Sequence, residues 1–324
     1  MNVNLTEPKF HDEDAARQWF EGSRWPNGVS CVHCGSVRVA RMGGTKHRAG
    51  LFHCPDCRGQ FTVRTGHVME SSKVPLTKWC LAFHLMSSSK KGISAHQLHR
   101  TIKVAYNTAW FMEHRIREAM KDDGAPLGGE GMVIEADEAY HGRRKTPREP
   151  QRHDKYRTAP TKRGLGGGAK KRPIVVLVER GGKARAVHMN TVNAKNMREF
   201  ITKNVEAKSR LHTDESNLYP GLGASFAEHE SVNHSKGEYA RGKGTDLVTT
   251  NSAEGYFGVL KRGLVGIYQH CGEQHFQRYL DEFSFRYSNR SKLGIEDAQR
   301  AVIANRGGEG KRLTWRRPDG AQTA

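Results

Sequence analysis

The sequence predicts an α/β protein: a mixed β-sheet with helices in the C-terminal half, preceded by a small cysteine-bearing β unit and a helical segment. Three observations carry this reading. Short apolar strands are interleaved with helical stretches from residue 132 to 262; four cysteines stand as two close pairs near the N-terminus; helical periodicity fills much of the interval from 75 to 120. The 324 residues suffice for one large domain or two to three small ones. The boundaries read as 1–70, 71–124 and 130–293, and the polar, glycine-rich remainder, 294–324, is expected to be a disordered tail.

Composition narrows the partners. The chain carries 53 Lys and Arg against 34 Asp and Glu, a net charge of +19, the footprint of a protein that meets a polyanion. Hydrophobic residues make up only 36%, so long polar loops are expected around a moderate core. The longest purely aliphatic run, Ile174-Val-Val-Leu-Val178, is far too short to span a bilayer, and residues 1–10 hold no apolar signal-peptide core. A cytoplasmic, nucleoid-associated protein with no membrane partner is therefore expected. In that compartment thiols serve as metal ligands more readily than as disulfides.

Taken in order, residues 12–21 read as a short helix with an acidic first turn. Cys31-Val-His-Cys34 and Cys54-Pro-Asp-Cys57 follow, with nineteen residues between Cys34 and Cys54. Two such knuckles can converge four thiolates on one tetrahedral Zn²⁺, the pattern of a zinc ribbon. His33 and His53 could compete as ligands, but four thiolates already complete the shell. Cys80 and Cys271 have no partner spacing and read as core residues. Residues 38–42 and 59–64 alternate as strands of the ribbon. Next come an amphipathic helix over Pro75–Met86 and two more over 94–100 and 107–120, separated by the short link 101–106. The layout is that of a helix-turn-helix, with a plain three-helix bundle as the alternative.

Residues 122–131 form a Gly- and Asp-rich linker. Beyond it the pattern reads strand 132–137, strand 173–179, a Gly181-Gly182 turn, strand 184–189, helix 194–207, strand 209–214, a strand near 229–233 and helix 251–262. This is the element order of the ribonuclease H-like fold, whose acids lie on the first strand, the fourth strand and a late helix. The stretch 141–172 interrupts it with twelve Lys or Arg against Glu149 and Asp154, a net +10 in 32 residues. With Gly164, Gly166, Gly167 and Gly168 it is expected to be mobile until it meets phosphate.

Carboxylates stand where that fold would use them. Asp137 ends the run from Met132, with Glu135 on its own strand face and Glu138 on the other as alternatives. Asp214 ends the run from Arg210, with Glu215 beside it. Glu254 opens the helix 251–262, where it could serve only to favour the helix dipole. Lys261 lies seven residues on, two turns along the same helix face. Three carboxylates can hold two Mg²⁺ ions roughly 3.5–4 Å apart, the arrangement that cuts phosphodiesters at neutral pH. A protonated lysine beside them can hold a phosphate.

The chain resembles bacterial insertion-sequence transposases of the DDE superfamily, in the group with an N-terminal zinc ribbon and a lysine after the last acid. The resemblance runs from about residue 12 to 290. It is carried by Arg24-Trp-Pro-Asn-Gly before Cys31, Gln60-Phe-Thr-Val after Cys57, Lys91-Gly-Ile-Ser-Ala and His114-Arg-Ile-Arg-Glu-Ala-Met. In the second half it is carried by Asp137-Glu-Ala-Tyr-His-Gly, Thr213-Asp-Glu-Ser, Val232-Asn-His-Ser-Lys-Gly-Glu-Tyr and Asn251-Ser-Ala-Glu254 through Lys261-Arg-Gly. The resemblance implies Asp137, Asp214 and Glu254 as the acids that hold catalytic Mg²⁺ or Mn²⁺, with Lys261 as the associated base. Some relatives carry Asn at the third acid, and Glu254 keeps the carboxylate set whole. One departure is Gln269, where His is expected, followed by His270.

The expected function is thus a transposase. Ribbon and helices would bind terminal inverted repeats in double-stranded DNA, and the ribonuclease H-like domain would cut the ends and join them to target DNA, with the chain acting as a homo-oligomer on DNA. The rival readings are a DNA-binding regulator with an idle catalytic domain and a nuclease that only hydrolyses.

Overall fold

The computed structural model describes residues 4–142, 171–219 and 221–314. Most of the basic stretch, residues 143–170, therefore lies outside the described residues, as does 315–324 of the expected tail.

Helix α1, Glu13–Arg24, starts where the Asp12 carboxylate accepts a hydrogen bond from the Ala15 N–H, and its buried face includes Ala16 and Phe20. The ribbon follows as three two-residue strands, β1 Ala40–Arg41, β2 Phe52–His53 and β3 Gln60–Phe61, paired antiparallel in that order. They are shorter than the sequence predicts, and β1 and β2 form the short hairpin that the residues between the knuckles allow. The apolar centre is three rings: Phe52 and Phe61 stack across the β2–β3 rung at 5.4 Å, with Trp25 edge-on to both. Three helices follow, α2 Leu76–Ser88, α3 Ala95–Ile102 and α4 Tyr106–Ala119. The Ser94 hydroxyl caps α3, and Lys103 ends it in the left-handed region at φ 52°, so that only residues 103–105 separate α3 from α4.

The sheet of the second half comprises β4 Val133–His141, β5 Arg172–Glu179, β6 Ala184–His188, β7 Arg210–Asp214 and β8 Glu228–Val232. Three helices accompany it: α5 Ala194–Asn204, α6 Asn251–Gly263 and α7 Phe276–Ser288. Strand order is β6-β5-β4-β7-β8. Pairing is antiparallel across β6-β5-β4 and parallel across β4-β7-β8, which is the ribonuclease H-like arrangement. The continuous apolar run in β5 is explained by burial on both faces. Ile174, Val176 and Val178 join a core with α6 and α7, whereas Val175 and Leu177 join a second core with α5. Strand β4 runs four residues past Asp137, because its ladder with β5 continues to His141↔Arg172 after the apolar run has ended.

Two compact units result. One is residues up to Lys121 together with those from Asn289 onward, and the other is Asp122–Ser288. The ribbon and the helical segment, expected as separate domains, thus share one unit. The expectation of a disordered tail from 294 is corrected for 297–306, which form helix α8, Asp297–Arg306, in the first unit. A capping box between Glu296 and Gln299 starts α8, and the buried Arg300 side chain donates to the carbonyls of Ser87, Asn289 and Ile295. The second unit begins at Asp122 rather than 130, because the Asp122 carboxylate pairs with Arg185 on β6 and the Leu127 N–H donates to the Asn204 carbonyl.

Candidate active site and zinc centre

Asp137 and Asp214 come from neighbouring parallel strands that part where the acids stand. The β4–β7 ladder runs Val133↔Arg210, Ile134↔Leu211, Glu135↔His212 and then stops. Beyond that rung each strand keeps only its outer neighbour: β4 follows β5, and β7 follows β8 as far as Asp214↔Val232. The same register carried two residues further would set Asp137 beside Asp214. A fork at the carboxyl ends of parallel strands is the place where open α/β sheets bind ligands. Glu254 stands in the first turn of α6 and is exposed.

Asp137 senses the other two acids. Burial, then Glu138, and more weakly Asp214 and Glu254, push the Asp137 carboxyl up to about 7. Asp214 is raised as well, chiefly by burial. Their oxygens nevertheless do not close into a tight set. Among the described residues, only the four cysteines of the ribbon form a group of three or more possible metal ligands within 4.8 Å of one another.

Hydrogen bonds separate these acids from their neighbours. Glu135, fully buried, accepts from the N–H groups of Ser252 and Ala253, from the Ser252 hydroxyl and from Arg180. Its capacity is spent on structure. Glu215 accepts from the N–H groups of His234 and Ser235 and from the Ser235 hydroxyl, which together hold it down to about 2. By contrast, Asp137 accepts from the Glu138 N–H at 2.7 Å, and Asp214 from the Ser216 N–H at 3.0 Å. Each thereby keeps a carboxylate oxygen open. Glu138 is intermediate: Tyr219 donates to it at 2.6 Å and Ser216 at 3.4 Å, yet burial raises it and its charge reaches Asp137.

Lys261 is exposed on α6, its ammonium 5.8 Å from the centre of the Phe257 ring and its charge reaching His141 at the end of β4. Sequence reasoning assigned no role to His234, although it quoted the segment that holds it. Its Nδ1 stands 3.8 Å from the Glu254 carboxylate, and its charge reaches Asp214. Gln269 follows a π-helical turn, Leu264–Tyr268, at a positive φ of 55° and ψ of −48°, where the His270 N–H turns back to the Tyr268 carbonyl.

The cysteine cluster fits zinc. Sγ atoms of Cys31 and Cys57 lie 3.6 Å apart, and those of Cys34 and Cys54 3.7 Å. Four bonds of 2.3 Å to a tetrahedral ion give edges of roughly 3.8 Å. The Cys54 thiol is drawn down to about 7, first by the backbone N–H of Cys57. Cys34 and Cys57 are raised instead, so the crowded thiols share out their protons, and a metal would have to displace those that remain. His33 and His53 stand outside the cluster.

Comparison with known proteins matches two stretches of the chain to transposase families. Residues 126–288, half of the chain, match the family described as ISXO2-like transposase domain, and residues 11–60 match the transposase zinc-ribbon domain. An uncharacterized protein in transposable element ISH50 of Halobacterium salinarum is 29% identical over 290 residues, 89% of this chain and 95% of that protein. A crystal structure of a pre-cleavage Mos1 transpososome aligns with 68% of this chain and 75% of its own at 13% identity, with a TM-score of 0.25. The fold assignment rests on the strand order instead. With a ribbon of four cysteines ahead of a ribonuclease H-like sheet, and a family match over half its length, the chain belongs to the ISXO2-like transposases.

Proposed function

We propose that this protein binds the terminal inverted repeats of an insertion sequence as an oligomer on double-stranded DNA, cuts the element's ends and joins them to target DNA. The observation that carries the reading is the fork between β4 and β7, with Asp137 and Asp214 on its two arms and the helix of Glu254 beside it.

Divalent cations, Mg²⁺ or Mn²⁺, would be held by Asp137, Asp214 and Glu254, and supply an activated water or 3′-hydroxyl and a stabilised leaving oxygen. The chain's own groups do the rest. The Glu138 and Ser216 N–H groups each fix one oxygen of Asp137 and Asp214, so the carboxylates are oriented before substrate arrives. Lys261 would hold a DNA phosphate, and the ribbon with the exposed faces of α3 and α4 would hold the repeat.

The test is end cleavage of a repeat-ended duplex by the full chain. Asp137→Asn and Asp214→Asn are expected to abolish cleavage and to leave repeat binding intact; full activity in either variant sinks the proposal. Strand-transfer products distinguish a transposase from an enzyme that only hydrolyses. Repeat binding by the wild type with no metal-dependent cleavage would mark a regulator.

A further inference from the structure

The three acids have a counterpart set two residues earlier in the chain. Glu135, His212 and Ser252 precede Asp137, Asp214 and Glu254 by two positions each; Arg180 bonds the first two, and Glu135 carries the link on to Ser252. Arg180 Nε and Nη2 donate to Glu135 Oε1 at 3.1 and 3.0 Å, and Nη2 also donates to His212 Nδ1 at 3.2 Å. Glu135 in turn accepts from the Ser252 N–H at 2.7 Å, its hydroxyl at 3.0 Å and the Ala253 N–H at 3.2 Å. Arg180 further donates to the carbonyls of Leu247 and Thr249 just ahead of α6.

This set lies on the last paired rung before the fork, Glu135↔His212. It also supplies what α6 lacks. Its N-cap residue, Thr250, makes no side-chain cap, so the free N–H groups of the first turn need other acceptors. Asn251 uses the Thr249 hydroxyl, while Ser252 and Ala253 use Glu135, a carboxylate from a strand more than a hundred residues away. The same carboxylate therefore holds the helix of the third acid and stands on the strand face of the first. Residues i and i+2 of a strand share one face about 6.6–6.8 Å apart, so a shift at Glu135 is felt at Asp137.

We infer that Glu135 and Arg180 are positioning residues, which set the spacing of Asp137, Asp214 and Glu254 and hence the affinity of the site for divalent cations. The inference rests on the reading of those acids as metal ligands.

The experiment is Mn²⁺ binding to the full chain by calorimetry, alongside end cleavage as a function of Mn²⁺ concentration. Glu135→Gln is expected to keep its circular dichroism and its zinc content, and to bind Mn²⁺ about 10–100-fold more weakly, the usual effect of losing a group that orients metal ligands. Its cleavage midpoint should shift by the same factor and recover in part at high Mn²⁺. A merely structural role would lower the melting temperature and leave the ion affinity of the folded protein unchanged. Folded Glu135→Gln with wild-type affinity overturns the inference alone. If that variant fails to fold, Ser252→Ala decides: it removes one hydroxyl bond, weaker binding is expected, and unchanged binding overturns the inference. Mn²⁺ binding that survives Asp137→Asn overturns the reading of the acids themselves, and the inference with it.

Discussion

His67 is held as a neutral ring from both sides: its Nε2 lies 2.8 Å from the Asn305 carbonyl of α8, and its Nδ1 accepts from the Met69 N–H. Burial pushes its pKa down to about 4 from the ordinary 6.5. A depressed value means that the unfolded chain takes up the proton first. The contribution is full above pH 6.5 and is lost as pH falls through 4, about 3 kcal/mol in all. Chemical denaturation of the full chain between pH 7 and 4 checks this, and His67→Gln should flatten the profile of the transition that belongs to the N-terminal unit.

The sign is opposite at Asp137. Its pKa in the folded protein, about 7 against the ordinary 3.8, favours the protonated carboxyl in the fold. That contribution is full below pH 3.8 and is lost as pH rises to about 7. Metal-free protein is therefore expected to lose stability in the catalytic unit across this window, by at most ~4 kcal/mol. Added Mg²⁺ should oppose the loss, because it binds the ionised form. Asp137→Asn should show a shallower slope and little response to Mg²⁺. An equal Mg²⁺ response in the variant counts against the site.

Zinc should govern the ribbon and leave the sheet alone. With Cys34→Ser, or after treatment with a zinc chelator, the bound zinc should be lost and repeat binding should weaken at least tenfold, since ribbon folding and metal binding are one equilibrium. The ultraviolet melting transition of the catalytic unit is expected to stay within a few degrees of wild type.

Arg300→Ala tests the terminal helix. It leaves the carbonyls of Ser87, Asn289 and Ile295 without their donors inside the N-terminal unit. A loss of about 1–3 kcal/mol is expected on urea denaturation, because the buried Ser87 carbonyl loses its donor while the other two bonds are only partly buried. A loss within experimental error would mean that α8 is a passive appendage.

Much of this architecture was legible in the chain. The two knuckles announce a metal ribbon because four thiolates at that spacing have few other uses, and the run from Ile174 to Val178 announces a strand covered on both faces. Choosing among Glu135, Asp137 and Glu138 was harder. Strand alternation puts Glu135 and Asp137 on one face, and what separates them is a bond to Ser252, 117 residues away. Arg180 gave no signal at all, since beside Gly181 and Gly182 it reads as a residue of a solvated turn. The helix Asp297–Arg306 was missed for a related reason: its anchors are Arg300 and Asn305, polar residues buried by hydrogen bonds that no hydrophobic period reveals.

That helix has a consequence for how the protein is made. A ribosome delivers the ribbon and α1–α4 first, then the whole sheet, and α8 only afterwards. Ala301 and Ala304, buried in the N-terminal unit, arrive after Asp137, Asp214 and Glu254 have all left the tunnel. The half of the molecule that is translated first is thus the half that is finished last, and no nascent chain can present a completed N-terminal unit without already carrying all three of those carboxylates.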